Sequence, residues 1–542
     1  MARKSIIIRN WPKYIMQWGV LTALIAFISG LIPSEQAADP EAYCPMGGLQ
    51  AFATYLANDS LPCSMTSLQI MMGAMLLFAV MLFSKLFCGY ICPVGTVQDI
   101  IVKIRTKIRM KSIKISNGSI ADKILRIFKY ILLFWIFYMT VGASELFCKN
   151  IDPYYAIATG FKGELTLWMS ITSVCVLVLG SLAVDMFWCR YICPLGAVSN
   201  SFKFWSWMLI LFGAYAAANL LGAGIPWAYL LGAFCIIGYG LEIFNGRPKL
   251  QIFHITKNEI PCNKCGLCER KCPYHIDLRS FHNGKVNHVD CTLCGECVAA
   301  CPCGALTVGI DKPTRSKFWR AVPPVLAIIL VAAGMWLGSK VEIPTIDMNW
   351  DMEDVSVVET MKVEGFRSIK CFGSAMAFKA KLQEIVGVHG VRVYVKRHGA
   401  EILYDPEVTS QEDILKEIYT PSKFRIQGID TEAVPRLKCV TVRTERMYDR
   451  YDIMYLGFLL YQTGYKFYAL ETEFACPLIV RIYMDPALDF DGEWYRNVIE
   501  KDEVTVPVKG GGTSTIALDY SFVRVEDGIS YISSEELLSR LK

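Results

Sequence analysis

The chain has 542 residues, 53% of them hydrophobic and 19% charged, with a net charge of +5 and 21 cysteines. That length excludes one compact domain, and a mean hydropathy of +0.35 points to a membrane protein.

Seven apolar runs are long enough for a bilayer core of about 30 Å, at 14–32, 68–87, 125–141, 165–187, 204–221, 226–244 and 321–337. The fifth and sixth are predicted to form a hairpin around Gly222-Ala223-Gly224. The first is too long and too late in the chain for a cleaved signal peptide. Lysine and arginine in the loops set the orientation. Arg3, Lys4, Arg9 and Lys13 keep the N-terminus inside. The loop at 35–67 carries Glu35, Asp39, Glu41 and Asp59 and no basic residue, so it lies outside. Lys103, Arg105, Lys107, Arg109, Lys111 and Lys114 put the next loop inside, as a solvated face needing no partner beyond lipid headgroups and cytosol. Lys312, Arg315, Lys317 and Arg320 precede the last run on the inner side. The expectation is a multi-pass protein of a prokaryotic plasma membrane. Its N-terminus and the segment 245–318 are cytoplasmic, and its tail is extracytoplasmic.

Inside this half, "FCGYICPVGTV" (87–97) and "WCRYICPLGAV" (188–198) are near copies, each giving C-x3-C-P at the inner end of a span. Cys44 in "YCPMGG" and Cys148 in "FCKNIDP" precede them at similar intervals. The repeated unit is an outer cysteine, a span, an inner cysteine pair and a following span, which is a parallel duplication. Cys88, Cys92, Cys189 and Cys193 then lie on one face of the bundle, where four thiolates can hold an iron–sulfur cluster. Reduced, merely packed thiols are the alternative. Cys44, Cys63 and Cys148 are placed on the outer side, as a disulfide or simple structural residues, or as metal ligands at an electron exit.

The segment 245–318 holds "PCNKCGLCERKCPYHI" (261–276). Cys262, Cys265, Cys268 and Cys272 form one C-x2-C-x2-C-x3-C run, and Cys291, Cys294, Cys297 and Cys301 a second, each ending in Cys-Pro. Zinc sites use separated pairs, not three cysteines in seven residues. The double run resembles a bacterial two-cluster ferredoxin, in which the fourth cysteine crosses to the other cluster. Cys262, Cys265, Cys268 and Cys301 would hold one [4Fe–4S], and Cys291, Cys294, Cys297 and Cys272 the other. Gly266 and Gly295 allow close backbone approach. Cys303 reads as a spare thiol, and His275, His282 and His288 as surface residues.

The paired "CGYICPVG" and "CRYICPLG" with a downstream double ferredoxin run resemble the membrane polyferredoxins of the NapH, NosR and CcoG type, over roughly residues 10–310. The resemblance implies membrane electron transfer, and for some members copper-enzyme maturation. No flavin-attachment domain of the NosR kind is found. None of the six histidines lies in a span, which excludes a membrane haem held by two histidines. There is no C-x-x-C-H and no strand-linked G-x-G-x-x-G, and "GGGTST" lacks the P-loop lysine. Neither nucleotide nor nucleic acid is suggested.

After about residue 340 the chain turns polar and alternating. "SAMAFKAKLQEIVGV" reads as a helix, "VRVYVKR" and "EILYDPE" as strands, and "VTSQEDILKEIY" as a helix, in a βαββαβ order. This region resembles a heavy-metal-associated domain over about 361–425, through "KCFGS", "VGVHGV" and "YDPE". Cys371 is present, but Ser374 stands where that family has a second cysteine, an incomplete Cu(I) ligand set. "CVTVRTE", "DIMYLGFLLYQTG", "LIVRIYMDP" and "GEWYRNVIE" suggest a second copy at about 436–503.

The predicted fold is thus a multi-pass α-helical membrane domain of about seven spans, a cytoplasmic 2[4Fe–4S] ferredoxin-like insert and an extracytoplasmic α+β tail of ferredoxin-like sandwiches. The segments are 1–244, 245–318, 319–338, 339–430 and 431–542. The expected function is electron transfer from a cytoplasmic donor to quinone or an extracytoplasmic acceptor, within a redox complex of further subunits. The alternative is a factor that reduces copper and passes it on to a copper enzyme.

Overall fold

The computed structural model describes residues 10–29, 44–58, 60–61, 65, 67–143, 146–161, 165–248, 251–278, 281, 284–310, 317–352, 357–370, 372–507, 513–526 and 528–541. Cys63, His282 and Cys371 lie outside these. The chain folds as two units, residues 1–58 with 62–342, and residues 59–61 with 343–542.

The first unit is helical, with α1 (Trp11–Ile28), α2 (Pro45–Asn58), α3 (Ser67–Phe83), α4 (Leu86–Tyr90), α5 (Pro93–Ile108), α6 (Ile120–Ala143), α7 (Pro153–Ala158), α8 (Leu167–Ala183), α9 (Pro194–Phe202), α10 (Trp205–Leu220) and α11 (Trp227–Gly240). Every predicted apolar run contains a helix. Among the described residues three stretches, Ile120–Ala143, Trp227–Asn245 and Val322–Lys340, are long and apolar enough to cross a membrane, and Ser67–Phe83, Leu167–Ala183 and Trp205–Leu220 are shorter apolar helices. Ile236 is 74% exposed and Phe244 87%, outward faces that suit hydrocarbon. The turn after α10 is the predicted hairpin: Gly222 and Gly224 take positive φ, and the Asn219 side chain accepts the Ile225 N–H at 2.7 Å.

The duplication is visible in the helices. In the first copy α2 is followed by α3, then α4, which carries Cys88, and α5, which follows Cys92. In the second copy α7 is followed by α8, then a wide π-helical turn at Trp188–Ile192, and α9, which follows Cys193. Cys92 and Cys193 are the N-caps of α5 and α9, and proline follows each at the first helical position, where its missing N–H costs nothing. Gly95 and Gly196 are required by the same close turn: a Cβ on either would lie 3.0 Å from the carbonyl of Cys88 or Cys189.

Two expectations are corrected. The basic loop is not wholly solvated: Arg105 is buried, donating to the carbonyls of Ser181 (3.2 Å) and Leu182 (3.3 Å) and pairing with Asp185. The last carbonyls of α8 lack intrahelical donors, and the guanidinium supplies them. Nor are two of the histidines free on the surface. His275 bonds Asp185 at 2.8 Å, and His288 accepts the Asp290 N–H at 3.1 Å.

The insert is a three-stranded antiparallel sheet ordered β2-β1-β3, from β1 (His254–Lys257), β2 (Lys285–Val286) and β3 (Leu306–Gly309). Two short helices, α12 (Leu267–Lys271) and α13 (Glu296–Ala300), each begin after a left-handed glycine, Gly266 (φ 68°) and Gly295 (φ 74°). The chain then enters α14 (Val322–Lys340).

Among the described residues the second unit has two larger sheets and a separate two-stranded hairpin. The first, ordered β4-β6-β7-β5, joins β4 (Ile346–Asn349), β5 (Glu359–Glu364), β6 (Val388–Tyr394) and β7 (Gly399–Tyr404), with α15 (Phe372–Gln383) and α16 (Gln411–Ile418) over it. The expected closing strand of this module, β8 (Lys423–Arg425), instead pairs with β10 in the other sheet, and β4 takes an edge beside β6. The second sheet runs β14-β9-β11-β10-β8, from β9 (Arg436–Glu445), β10 (Phe467–Glu473), β11 (Leu478–Met484) and β14 (Ser521–Val525), with α17 (Arg450–Gln462) and α18 (Gly492–Ile499). Here the predicted boundary near 503 falls short. Strand β12 (Glu503–Pro507) makes a hairpin with β13 (Thr513–Ala517), and β14 takes the place beside β9.

Candidate iron–sulfur centres

Apart from Cys175 in α8 and Cys235 in α11, the described thiols of the first unit gather around three cavities. Cys262, Cys265, Cys268 and Cys301 line one of about 30 Å³, together with Cys303. Cys272, Cys291, Cys294 and Cys297 line a second of about 20 Å³. Each draws three sulfurs from one run and the fourth from the other. The loops are conformational copies: Lys264 and Leu293 both sit in the left-handed region, at φ 55°. A left-handed leucine is uncommon, and here it turns the chain between two cysteines. The Ala305 N–H donates to the Cys301 sulfur at 3.3 Å.

The third cavity, of about 90 Å³, is lined by six cysteines: Cys44, Cys88, Cys92, Cys148, Cys189 and Cys193. The separation of Cys44 and Cys148 to a far side is therefore overturned. The reason is local. "CPMG" after Tyr43 repeats the Cys-Pro-x-Gly of the inner pairs and likewise opens a helix, α2, whose start is buried within the bundle. Asp152 caps α7 through the Tyr154 N–H (2.9 Å), accepts from the Cys44 thiol at 3.4 Å, and lines the same space. Cys44 and Cys148 both line this cavity, and both are unbridged. Gln98 of α5 spans the two copies, donating to the Cys189 sulfur at 2.9 Å and accepting the Trp188 N–H at 3.1 Å.

The three cavities form a row. Leu278 lines the first and second, and Tyr274 lines the second and third. The second cysteine loop is fastened to the helices through its backbone. Ser84 and Lys203 donate to the Cys291 carbonyl at 2.6 and 2.8 Å, Tyr90 to Leu293 at 2.8 Å, and Asn10 to Cys294 at 3.2 Å. Glu296 is met by Lys13 (3.2 Å) and Tyr14 (2.8 Å). Arg126 on α6 carries Asp122 (3.1 Å), Glu242 and Asp290 (2.7 Å) at once.

The donor set fits iron–sulfur clusters. Burial pushes the Cys272 thiol up to about 12 and Cys294 up to about 11, so these sulfurs ionise when a metal's positive field replaces lost hydration. Among the described residues no three Cys, His, Asp or Glu side chains converge as for a single ion, and sulfurs spaced around a cavity suit a multi-iron core better. In the second unit, Ser374, at the position where the heavy-metal-associated family has its second thiol, accepts the Lys370 N–H at 2.8 Å, a structural use of that side chain.

Burial, opposed only in part by Asp290, pulls His288 down to about 4, with Arg126, Lys203 and Arg190 also lowering it. An unfolded histidine takes its proton near 6.5, so between those values the unfolded state binds more protons and stability falls as pH falls. Acidification from about pH 6.5 to 4 is expected to remove at most about 3 kcal/mol through this residue. Melting curves across that window should show the loss, and His288→Gln should flatten it.

The 4Fe-4S binding domain family matches residues 65–111 and 166–208, one match on each Cys-Pro copy. YccM of Escherichia coli (strain K12) is 26% identical over 302 residues, 55% of this chain and 71% of YccM. The ferredoxin-type protein NapH of Haemophilus influenzae is 24% identical over 251 residues, 43% of this chain and 75% of NapH. The regulatory protein NosR of Pseudomonas aeruginosa is 28% identical over 114 residues, 20% of this chain but only 15% of NosR. No solved structure matches the chain. With both Cys-Pro copies matching the 4Fe-4S binding domain family and relatives of these names, the chain is similar to the NapH/NosR-type 4Fe–4S membrane electron-transport proteins.

Proposed function

We propose that the chain is an electron conduit. A cytoplasmic donor reduces it at the Cys262–Cys301 insert, and electrons leave from the six-cysteine end to quinone or to an extracytoplasmic acceptor. The observation that carries this is the row of three thiol-lined cavities, with neighbours sharing Leu278 and Tyr274. In this reading seven helices span the membrane, the insert faces the cytoplasm, and the tail outside is a docking platform for a redox partner. Cys262, Cys265, Cys268 and Cys301 hold one [4Fe–4S], Cys272, Cys291, Cys294 and Cys297 a second, and Cys88, Cys92, Cys189 and Cys193 a third. Bound there, each cluster supplies a one-electron store. The protein fixes the spacing by bonding the second loop to the helices, excludes water with Leu278, Tyr274 and Trp188, and directs N–H donors at the Cys189 and Cys301 sulfurs, which tunes potential.

Anaerobically purified protein should contain about twelve irons and three separable paramagnetic signals on graded reduction. Cys301→Ser should lower iron to about eight while sparing the signal of the Cys291–Cys297 run, because its thiol serves the other loop. Loss of that signal instead would contradict the crossed ligand sets. In liposomes reduced from the insert side, an acceptor in the membrane or beyond it should become reduced. If cluster-intact protein reduces neither, the conduit reading fails.

A further inference from the structure

We propose that Cys44 and Cys148 form a dithiol–disulfide couple, which exchanges electrons singly with the cluster row and in pairs with a quinone. This rests on the conduit reading above. The third cavity offers six sulfurs, and a four-iron cluster takes four. The two matching Cys-x3-Cys-Pro segments supply those four, two each. The two left over hold equivalent places in the two copies, and both line the same cavity. Cys148 is 7% exposed, so soluble oxidants have little access to it, and Cys44 is its natural bonding partner.

The route outward is apolar. Pro45, adjacent to Cys44, also lines a neighbouring cleft formed by Met72, Leu76, Phe87, Ala327 and Leu330. Such a cleft admits a lipid-soluble oxidant rather than a hydrated ion. Oxidation forms one S–S bond and breaks two S–H bonds, and the two electrons and two protons convert the quinone to its hydroquinone. Reduction breaks the S–S bond with two electrons taken one at a time from the row and two protons from solvent, one to each sulfur. Asp152 orients Cys44 by accepting its hydrogen bond.

The test uses the full chain in detergent with its iron intact. The protein is treated with a short-chain ubiquinone or with dithionite, denatured in alkylating reagent without thiol reductant, and digested for mass spectrometry. A linked Cys44–Cys148 peptide is expected after quinone and none after dithionite. Reductive titration should take two more electrons in the wild type than in Cys44→Ser, at equal iron content. Both thiols found singly alkylated after quinone would overturn the proposal, as would lower iron in a Cys44→Ser protein that melts like the wild type, which would make Cys44 a metal ligand. The linked peptide is read in the wild type, so a poorly folding variant does not decide the matter. Wild-type protein lacking iron in this cavity sinks the conduit reading too. Full iron without the linked peptide sinks only the couple.

Discussion

Arg126→Ala is expected to destabilise the protein by about 3–5 kcal/mol and to strip the iron held by the Cys291–Cys297 run. The guanidinium is buried and faces Asp122, Glu242 and Asp290. Without it three carboxylates stay in low dielectric with too few cations. Arg190 still serves Asp122, and Lys129 serves Glu242, but among the described residues Asp290 keeps one ion pair, with Lys85 at 3.8 Å, and a long hydrogen bond from Asn200 at 3.4 Å. Asp290 adjoins Cys291, so the uncompensated charge falls on the loop that holds the second cavity. Arg126→Lys restores one charge without the fork that reaches three partners, and should recover only part of the stability. Thermal melting and iron content report both effects. A variant as stable as the wild type with full iron would show that α6 does not anchor the insert.

Gly48→Ala is the second large effect. A Cβ there would lie 1.9 Å from the Gln69 carbonyl oxygen and 2.7 Å from its carbon, both backbone atoms of α3. No side chain can give way, so α2 must move off α3, at about 3 kcal/mol or more. Cys44 lies just before α2, and moving that helix should separate Cys44 from Cys148. Faster alkylation of Cys148 in the folded variant is the measurement. Gly19→Ala is the control, since nothing lies within 4 Å of its Cβ. It should be neutral or slightly stabilising through helix propensity. Unchanged Cys148 reactivity in a folded Gly48→Ala protein would argue against tight α2–α3 packing.

Cysteine spacing made most of the centre legible. Three cysteines in seven residues, twice, and a duplicated Cys-Pro-x-Gly are constraints that few chemistries impose. The convergence of Cys44 and Cys148 was hidden for two reasons. The 14-residue α2 is too short to read as a span, so its first residue seemed to belong to a loop. The repeat was also anchored on the inner pairs, although "CPMG" carries the same Cys-Pro-x-Gly signal and could have shown that Cys44 opens a helix in the same way. Charge counting misled for another reason. Arg105, Arg126 and Arg190 look alike in sequence whether they face water or a buried carboxylate, and their partners lie 80, 116 and 68 residues away. The tail's strands followed alternation well. Which sheet β8 joins is a choice between edges that local pattern does not encode.

The two copies differ at one position, Gly89 against Arg190, in a way that makes the duplicated half asymmetric. Gly89 and Tyr90 receive the insert: a Cβ on Gly89 would press on the Thr292 carbonyl at 3.0 Å, and Tyr90 bonds Leu293. Their counterparts, Arg190 and Tyr191, turn inward and both bond Asp122. A symmetric pair of halves would present two equivalent landing places for a cysteine-rich partner. Here one is taken by the insert and the other is filled by its own arginine, so the insert has a single seat beside a cavity built from both halves.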